Sequence, residues 1–224
     1  MAERRVDVAP TRFGEETLET NKVLKNTYML LGLTLAFSAV TAGVSMALKL
    51  PPLAGIGFTL VGFVLLFVVN RMADSAKGLP AIFAFAGAMG AGLGPMLNHY
   101  MAMPGGPSLV MQTLGGTALI FFGLSAYALQ SKRDFSFMGG FLFAGLLIAI
   151  VAMLANLFLQ IPLLSVTISA VVVMIMSGLI LFDTSRIIHG GETNYIRATV
   201  GLYLNIYNVF VHLLSLLGVF GGDD

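Results

Sequence analysis

Residues 135–182 read FSFMGGFLFAGLLIAIVAMLANLFLQIPLLSVTISAVVVMIMSGLILF, a run without one formal charge. A helix rises about 1.5 Å per residue, so about 20 apolar residues cross the hydrocarbon core of a bilayer. The run is too long for one crossing and long enough for two. Gln160-Ile161-Pro162 lies near its middle, and proline, which has no backbone donor, ends or kinks a helix. The stretch is two membrane spans joined by a turn.

The same pattern continues on both sides. Further charge-free stretches cover 26–48, 50–70, 78–131 and 198–222. Pro104-Gly105-Gly106-Pro107 divides the longest of them, and Pro51-Pro52 separates the first two. The pattern predicts seven transmembrane helices, over 27–48, 53–70, 79–101, 108–130, 136–159, 163–187 and 196–219. The fold class is all-α integral membrane, and the period-two alternation of an outer-membrane barrel is absent. Composition agrees: 10% of the 224 residues are charged and 57% hydrophobic, where a soluble domain carries about 25% charge. Mean hydropathy is +0.91. The lipid bilayer is therefore the first partner, and a net charge of +1 offers no field for nucleic acid. With no cysteine there is no disulfide framework and no thiolate chemistry.

The few charges orient the chain. Arg4, Arg5, Arg12, Lys22, Lys25, Arg71, Lys77, Lys132, Arg133, Arg186 and Arg197 fall on one side of the predicted spans, and Lys49 alone on the other. Positive residues stay cytoplasmic, so the N-terminus is expected inside and Gly221-Gly222-Asp223-Asp224 outside. Residues 1–25 hold ten of the charges, both signs mixed, with Pro10 and Gly14. They are expected to form a polar cytoplasmic tail ahead of a membrane domain over 26–224. Gly87/Ala91 and Gly90/Gly94, with Gly115, Gly116, Gly123, Gly139, Gly140 and Gly145, read as close helix contacts, since helices associate in lipid through small residues.

Asp183 is the only acid inside a predicted span. A carboxylate in hydrocarbon is costly, so it must face the bundle, pair, or bind a proton. Arg71 and Arg186, near cytoplasmic span ends, are candidate ion-pair partners. Two readings stand: a pinned ion pair that locks helices, and a gate that responds to protons or cations. On the seventh span Asn205, Asn208, His212 and Ser215 recur at helical spacing on one stripe with Gly201. A polar seam of this kind either bonds to a neighbouring helix or lines a wet cavity. Asp183 and Asn205 each lie 11 residues from Asn194, which places both at similar depth in a helical hairpin. His212 stands without a second histidine or acid at ligand spacing, so no metal site is expected from it. His99 and His189 read as interfacial or loop residues, and Asn98, Asn156 and Gln160 as turn groups.

Catalytic patterns are not supplied. An intramembrane aspartyl protease needs two acids, and a rhomboid-like serine protease needs glycine where Ile175-Met176-Ser177-Gly178 has isoleucine. No HExxH run and no phosphate loop occurs. The chain is read as a non-enzyme.

Residues 180–198 (ILFDTSRIIHGGETNYIRA) and 202–210 (LYLNIYNVF) resemble the signature of the Bax inhibitor-1 family. The resemblance extends to 87–95 (GAMGAGLGP), 132–136 (KRDFS) and 22–28 (KVLKNTY), and it is nearest to the YccA-like branch of bacterial inner membranes. It implies six helices in two layers around a central seventh, and a protein of the bacterial inner membrane with a periplasmic C-terminus. It also implies two functions. One is modulation of a membrane-anchored AAA protease of the FtsH type. The other is a pH-sensitive Ca²⁺ leak gated by two aspartates on the sixth and seventh helices. Asp183 matches the first aspartate, whereas Asn205 stands in the place of the second. Asparagine can hydrogen-bond Asp183 but can neither share its proton nor add charge for Ca²⁺, so the protease reading leads. Were Ca²⁺ to bind or pass, Asp183 is the residue that would meet it. No cofactor is expected.

Overall fold

The computed structural model describes residues 12–221, with side chains from residue 19 onward. Seven α-helices follow one another: α1 Arg12–Ala47, α2 Pro52–Met72, α3 Gly78–Met101, α4 Gly106–Ser131, α5 Gly139–Leu159, α6 Pro162–Ile188 and α7 Tyr195–Phe220. A single 3₁₀ turn, Ser136–Met138, leads into α5. All seven are long and apolar enough to cross a membrane, and no strand occurs among the described residues. The prolines act as punctuation. Pro52 and Pro162 open α2 and α6, and Pro107 lies in the first turn of α4, where a missing N–H costs nothing.

One boundary differs from expectation. α1 begins at Arg12 rather than near 27, so the span continues into the segment expected as a tail. Glu15, Glu16, Leu18, Lys22, Leu24 and Lys25 favour helix, and a helix already nucleated in the membrane extends through such residues at little cost. Residues 1–11 of that tail lie outside the described residues, as do Gly222, Asp223 and Asp224.

The helices group in threes. α3 lies between α1 and α2, which do not touch each other, and α6 lies in the same way between α4 and α5. α7 sits in the seam and packs against α1, α2, α3, α4 and α6. Among the described residues, α5 touches only α6 and the turn before it. The seventh helix is thus central, but five helices surround it, not six. Its buried face includes Leu202, Tyr203, Asn205, Val209 and Leu214. The Tyr203 ring meets Phe85 edge-on at 5.1 Å, and its hydroxyl lies 2.7 Å from that of Ser38.

Glycines account for the closeness of the first group. A Cβ on Gly90 would collide with the Ser38 carbonyl, and one on Gly94 with Ser45, so α1 and α3 meet backbone to backbone. Gly87 adjoins Phe37 and Gly92 adjoins α2 at Gly55 and Thr59. The expectation fails for Gly115, Gly123 and Gly140, which have open space around them. Pro95 lies inside α3 and takes away the donor that the Ala91 carbonyl would have used. The Ser45 hydroxyl of α1 donates to that carbonyl at 2.8 Å. A defect in one helix is thereby satisfied by its neighbour.

Between α1 and α4, whose backbones stay apart while the Tyr28 and Phe121 rings meet at 5.9 Å, a cavity of about 480 Å³ opens, with α7 as its floor. Leu31, Leu35 and Gly43 line one wall, Leu114 and Phe121 another, and Tyr203, Ile206 and Phe210 the base.

Candidate functional site

The α6–α7 hairpin gathers most of the polar groups. Its turn is fixed by Asn194, whose side-chain oxygen accepts from the amides of Ile196 and Arg197 and caps α7. The same side chain donates to the Ala73 carbonyl at 3.0 Å and to Asp74 at 2.8 Å, and Arg197 pairs with Asp74. The α2–α3 loop is thus tied to the start of α7. A cavity of about 420 Å³ lies at this junction. Nothing local in the sequence pointed to Asp74, Asn194 or Arg197, because the partners are separated by more than 100 positions. Their common feature was a loop position on the same side of the membrane.

From this turn the hairpin brings Asp183 and Asn205 together. Asn205 is buried, and its amide donates to the Asp183 carboxylate at 2.7 Å. Gly201, one turn nearer the start of α7, presents bare backbone to the same carboxylate: an added Cβ would stand 3.0 Å from it. Equal distance from the turn and a shared stripe on α7 put these three groups in one place.

The candidate cationic partners behave differently. Neither Arg71 nor Arg186 forms an ion pair with Asp183. Arg71 ends α2 with its side chain exposed. Arg186 turns outward, donates to the Gly191 carbonyl at 3.1 Å, lies 3.7 Å from Glu192 and stacks over Phe182. The physical reason is proximity along the chain: Glu192 and Gly191 reach the guanidinium from the hairpin turn with little loss of chain entropy. An ion pair at the water boundary also avoids desolvation.

The rest of the seam divides. His212 Nδ1 lies 3.2 Å from the Ser169 hydroxyl, a second polar contact between α6 and α7. Asn208 instead donates to the Leu204 carbonyl of its own helix at 2.8 Å, and Ser215 is half-buried farther along. Of the remaining groups, Asn156 caps the α5–α6 turn through the Ile161 amide and Ser165. Asn98 donates to the end of α1 at Met46. His189 closes α6 against the α4–α5 loop.

Chemically, the centre of the hairpin is one carboxylate held by an amide and a glycine face. A hard divalent cation takes about six to eight oxygens, several of them anionic. Among the described residues no three His, Cys, Asp or Glu side chains are grouped to hold a metal. As they stand, Asp183 and Asn205 are joined by an interhelical hydrogen bond.

Known proteins resemble this chain over most of its length. A membrane protein of Vibrio cholerae is 52% identical over 211 residues, 94% of this chain and 95% of its own. A Pseudomonas aeruginosa protein is 48% identical over 210 residues, 93% and 94% of the two chains. The Escherichia coli K12 protein named modulator of FtsH protease YccA is 54% identical over 207 residues, covering 92% of this chain and 94% of its own. The model of the family described as inhibitor of apoptosis-promoting Bax1 matches residues 20–222, a range that takes in all seven spans and the Asp183–Asn205 hairpin, and the chain belongs to that family.

Proposed function

We propose that this protein is a non-enzymatic modulator of a membrane-anchored AAA protease of the FtsH type, acting in membrane-protein quality control. The observation that carries the reading is 54% identity, over nearly the full length of both chains, to the Escherichia coli protein named as such a modulator. The geometry is compatible with a binding role. Capping, ion pairing and the Asp183–Asn205 bond brace the hairpin, and a braced body can recognise another membrane protein by shape. The location we assign is the bacterial inner membrane, with the N-terminus in the cytoplasm and the C-terminus in the periplasm. Residues 1–20 are then on the side where an AAA protease carries its ATPase domain.

The test is co-purification of the intact protein with the protease from native membranes, together with turnover of a membrane substrate in the presence and absence of the protein. Co-purification and a changed turnover rate are expected, and deletion of residues 1–20 is expected to remove both. No association and unchanged turnover with the intact chain would refute the proposal.

A further inference from the structure

Beside the cytoplasmic end of α6, a small hydrogen-bond system joins His189 and Ser185 to the α4–α5 loop. The Phe135 amide donates to the Ser185 hydroxyl oxygen at 3.0 Å, and that hydroxyl lies 3.3 Å from the Arg133 carbonyl. His189 Nδ1 lies 2.9 Å from the Ser185 carbonyl and 3.3 Å from the Ser185 hydroxyl. Its Nε2 lies 3.2 Å from the Lys132 carbonyl. Three of these partners are carbonyl oxygens, which only accept.

The donor count separates the protonation states. A neutral imidazole has one N–H and one lone pair. With the proton on Nε2, the Lys132 carbonyl is served, but the Nδ1 lone pair faces the Ser185 carbonyl oxygen. Nδ1 must then draw the Ser185 hydroxyl proton away from the Arg133 carbonyl. With the proton on Nδ1, the Ser185 carbonyl is served and the Lys132 carbonyl loses its donor. Only the imidazolium donates from both nitrogens and leaves the Ser185 hydroxyl free to donate to Arg133. We infer that Lys132–Phe135 is tethered to α6 by a proton-operated histidine clamp, closed when His189 is doubly protonated and loosened when it is neutral.

The surroundings are mixed in sign. Lys132, Arg133 and Asp134 in the loop, Arg186 one turn back on α6 and Glu192 in the α6–α7 turn are the charged groups around it. His189 is exposed and closes α6 at the water boundary, so bulk protons on that side reach it. The clamp is separate from Asp183, and it holds a loop rather than opening a path. It does not depend on the protease reading.

The chain has no cysteine, so a spin label can be placed by one substitution. The experiment labels Arg133→Cys in lipid nanodiscs and records loop mobility by electron paramagnetic resonance between about pH 5 and 8, the interval in which histidine ordinarily changes charge. Spectral weight is expected to shift from an immobilised to a mobile component as pH rises. His189→Ala is expected to be mobile at both ends of the range. His189→Arg, permanently charged with several donors, is expected to be immobilised at both. Asp134→Asn is expected to retain the response. Mobility independent of pH in the parent, a response that survives His189→Ala, or one that vanishes in Asp134→Asn while persisting in His189→Ala would overturn the inference. Circular dichroism of each labelled variant confirms that the helices are intact. Direct titration of the His189 ring by nuclear magnetic resonance gives a second readout: a loop transition whose midpoint does not follow the ring also overturns it.

Discussion

Asp183 holds its place through one amide and one missing side chain. Replacing Asn205 with leucine removes the donor and leaves a carboxylate against apolar packing, a loss of about 1–3 kcal/mol for an unsatisfied buried group. We expect Asn205→Leu to lower Tm in detergent or nanodiscs, and an unchanged melt would show that the bond is not structural. The same residue is the one to vary in a transport test. In liposomes, Ca²⁺ entry between about pH 6 and 8 is expected to be absent for the parent, because the second carboxylate is an amide here. A flux that disappears in Asp183→Asn would establish a leak instead, and a gain of flux in Asn205→Asp would locate the missing charge. The meeting of these two residues was legible in the sequence, since both lie 11 positions from Asn194. The absence of an arginine partner was not. Spacing gives depth along a helix, but it does not say that a nearby Glu192 captures Arg186 first.

Among the elements, α3 has the least freedom. Gly90→Ala forces a methyl group into the α1 backbone, and overpacking of this kind costs about 1–3 kcal/mol. Gly123→Ala on α4 meets nothing and removes a flexible residue from a helix, a gain of about 0.5–1 kcal/mol. Thermal unfolding of the two variants side by side should therefore move in opposite directions. The sequence showed small residues on three spans alike; which of them face a partner depends on helix rotation, set by contacts distant in the chain. The α4–α5 connection offers a pH test of its own. The Ser136 hydroxyl and amide bond to Asp134 and hold its carboxyl below the usual range, although the group is fully exposed. A lowered carboxyl contributes above the ordinary value of about 3.9 and is lost as pH falls through the folded value. Protection of the Ser136 amide, corrected for intrinsic exchange, is expected to fall in acid below about pH 4. It is expected to be low at every pH in Asp134→Asn.

For the molecule as a whole, seven spans followed from counting charge-free lengths and prolines, because a bilayer imposes one length on every crossing. The extension of α1 to Arg12 did not follow, since polar composition describes what a segment can bury and not whether an existing helix runs into it. The orientation rests on eleven positive charges against one. Single cysteines introduced at Lys77 and Lys49 should react with an impermeant thiol reagent from the cytoplasmic and the periplasmic side respectively. The reverse pattern would invert the assignment.

The gap between α1 and α4 alters what central means for α7. Along Tyr203, Ile206 and Phe210 this helix borders an apolar cavity as well as its helix neighbours. In a bilayer, an acyl chain that enters this space becomes part of the solvent of the innermost helix. The order and thickness of the surrounding chains enter its packing energy directly, alongside those of its protein neighbours. Stability measured in a micelle belongs to protein and amphiphile together. A detergent whose tail fills this space differently from a phospholipid would move the balance at the helix that carries Asn205 without touching a single residue.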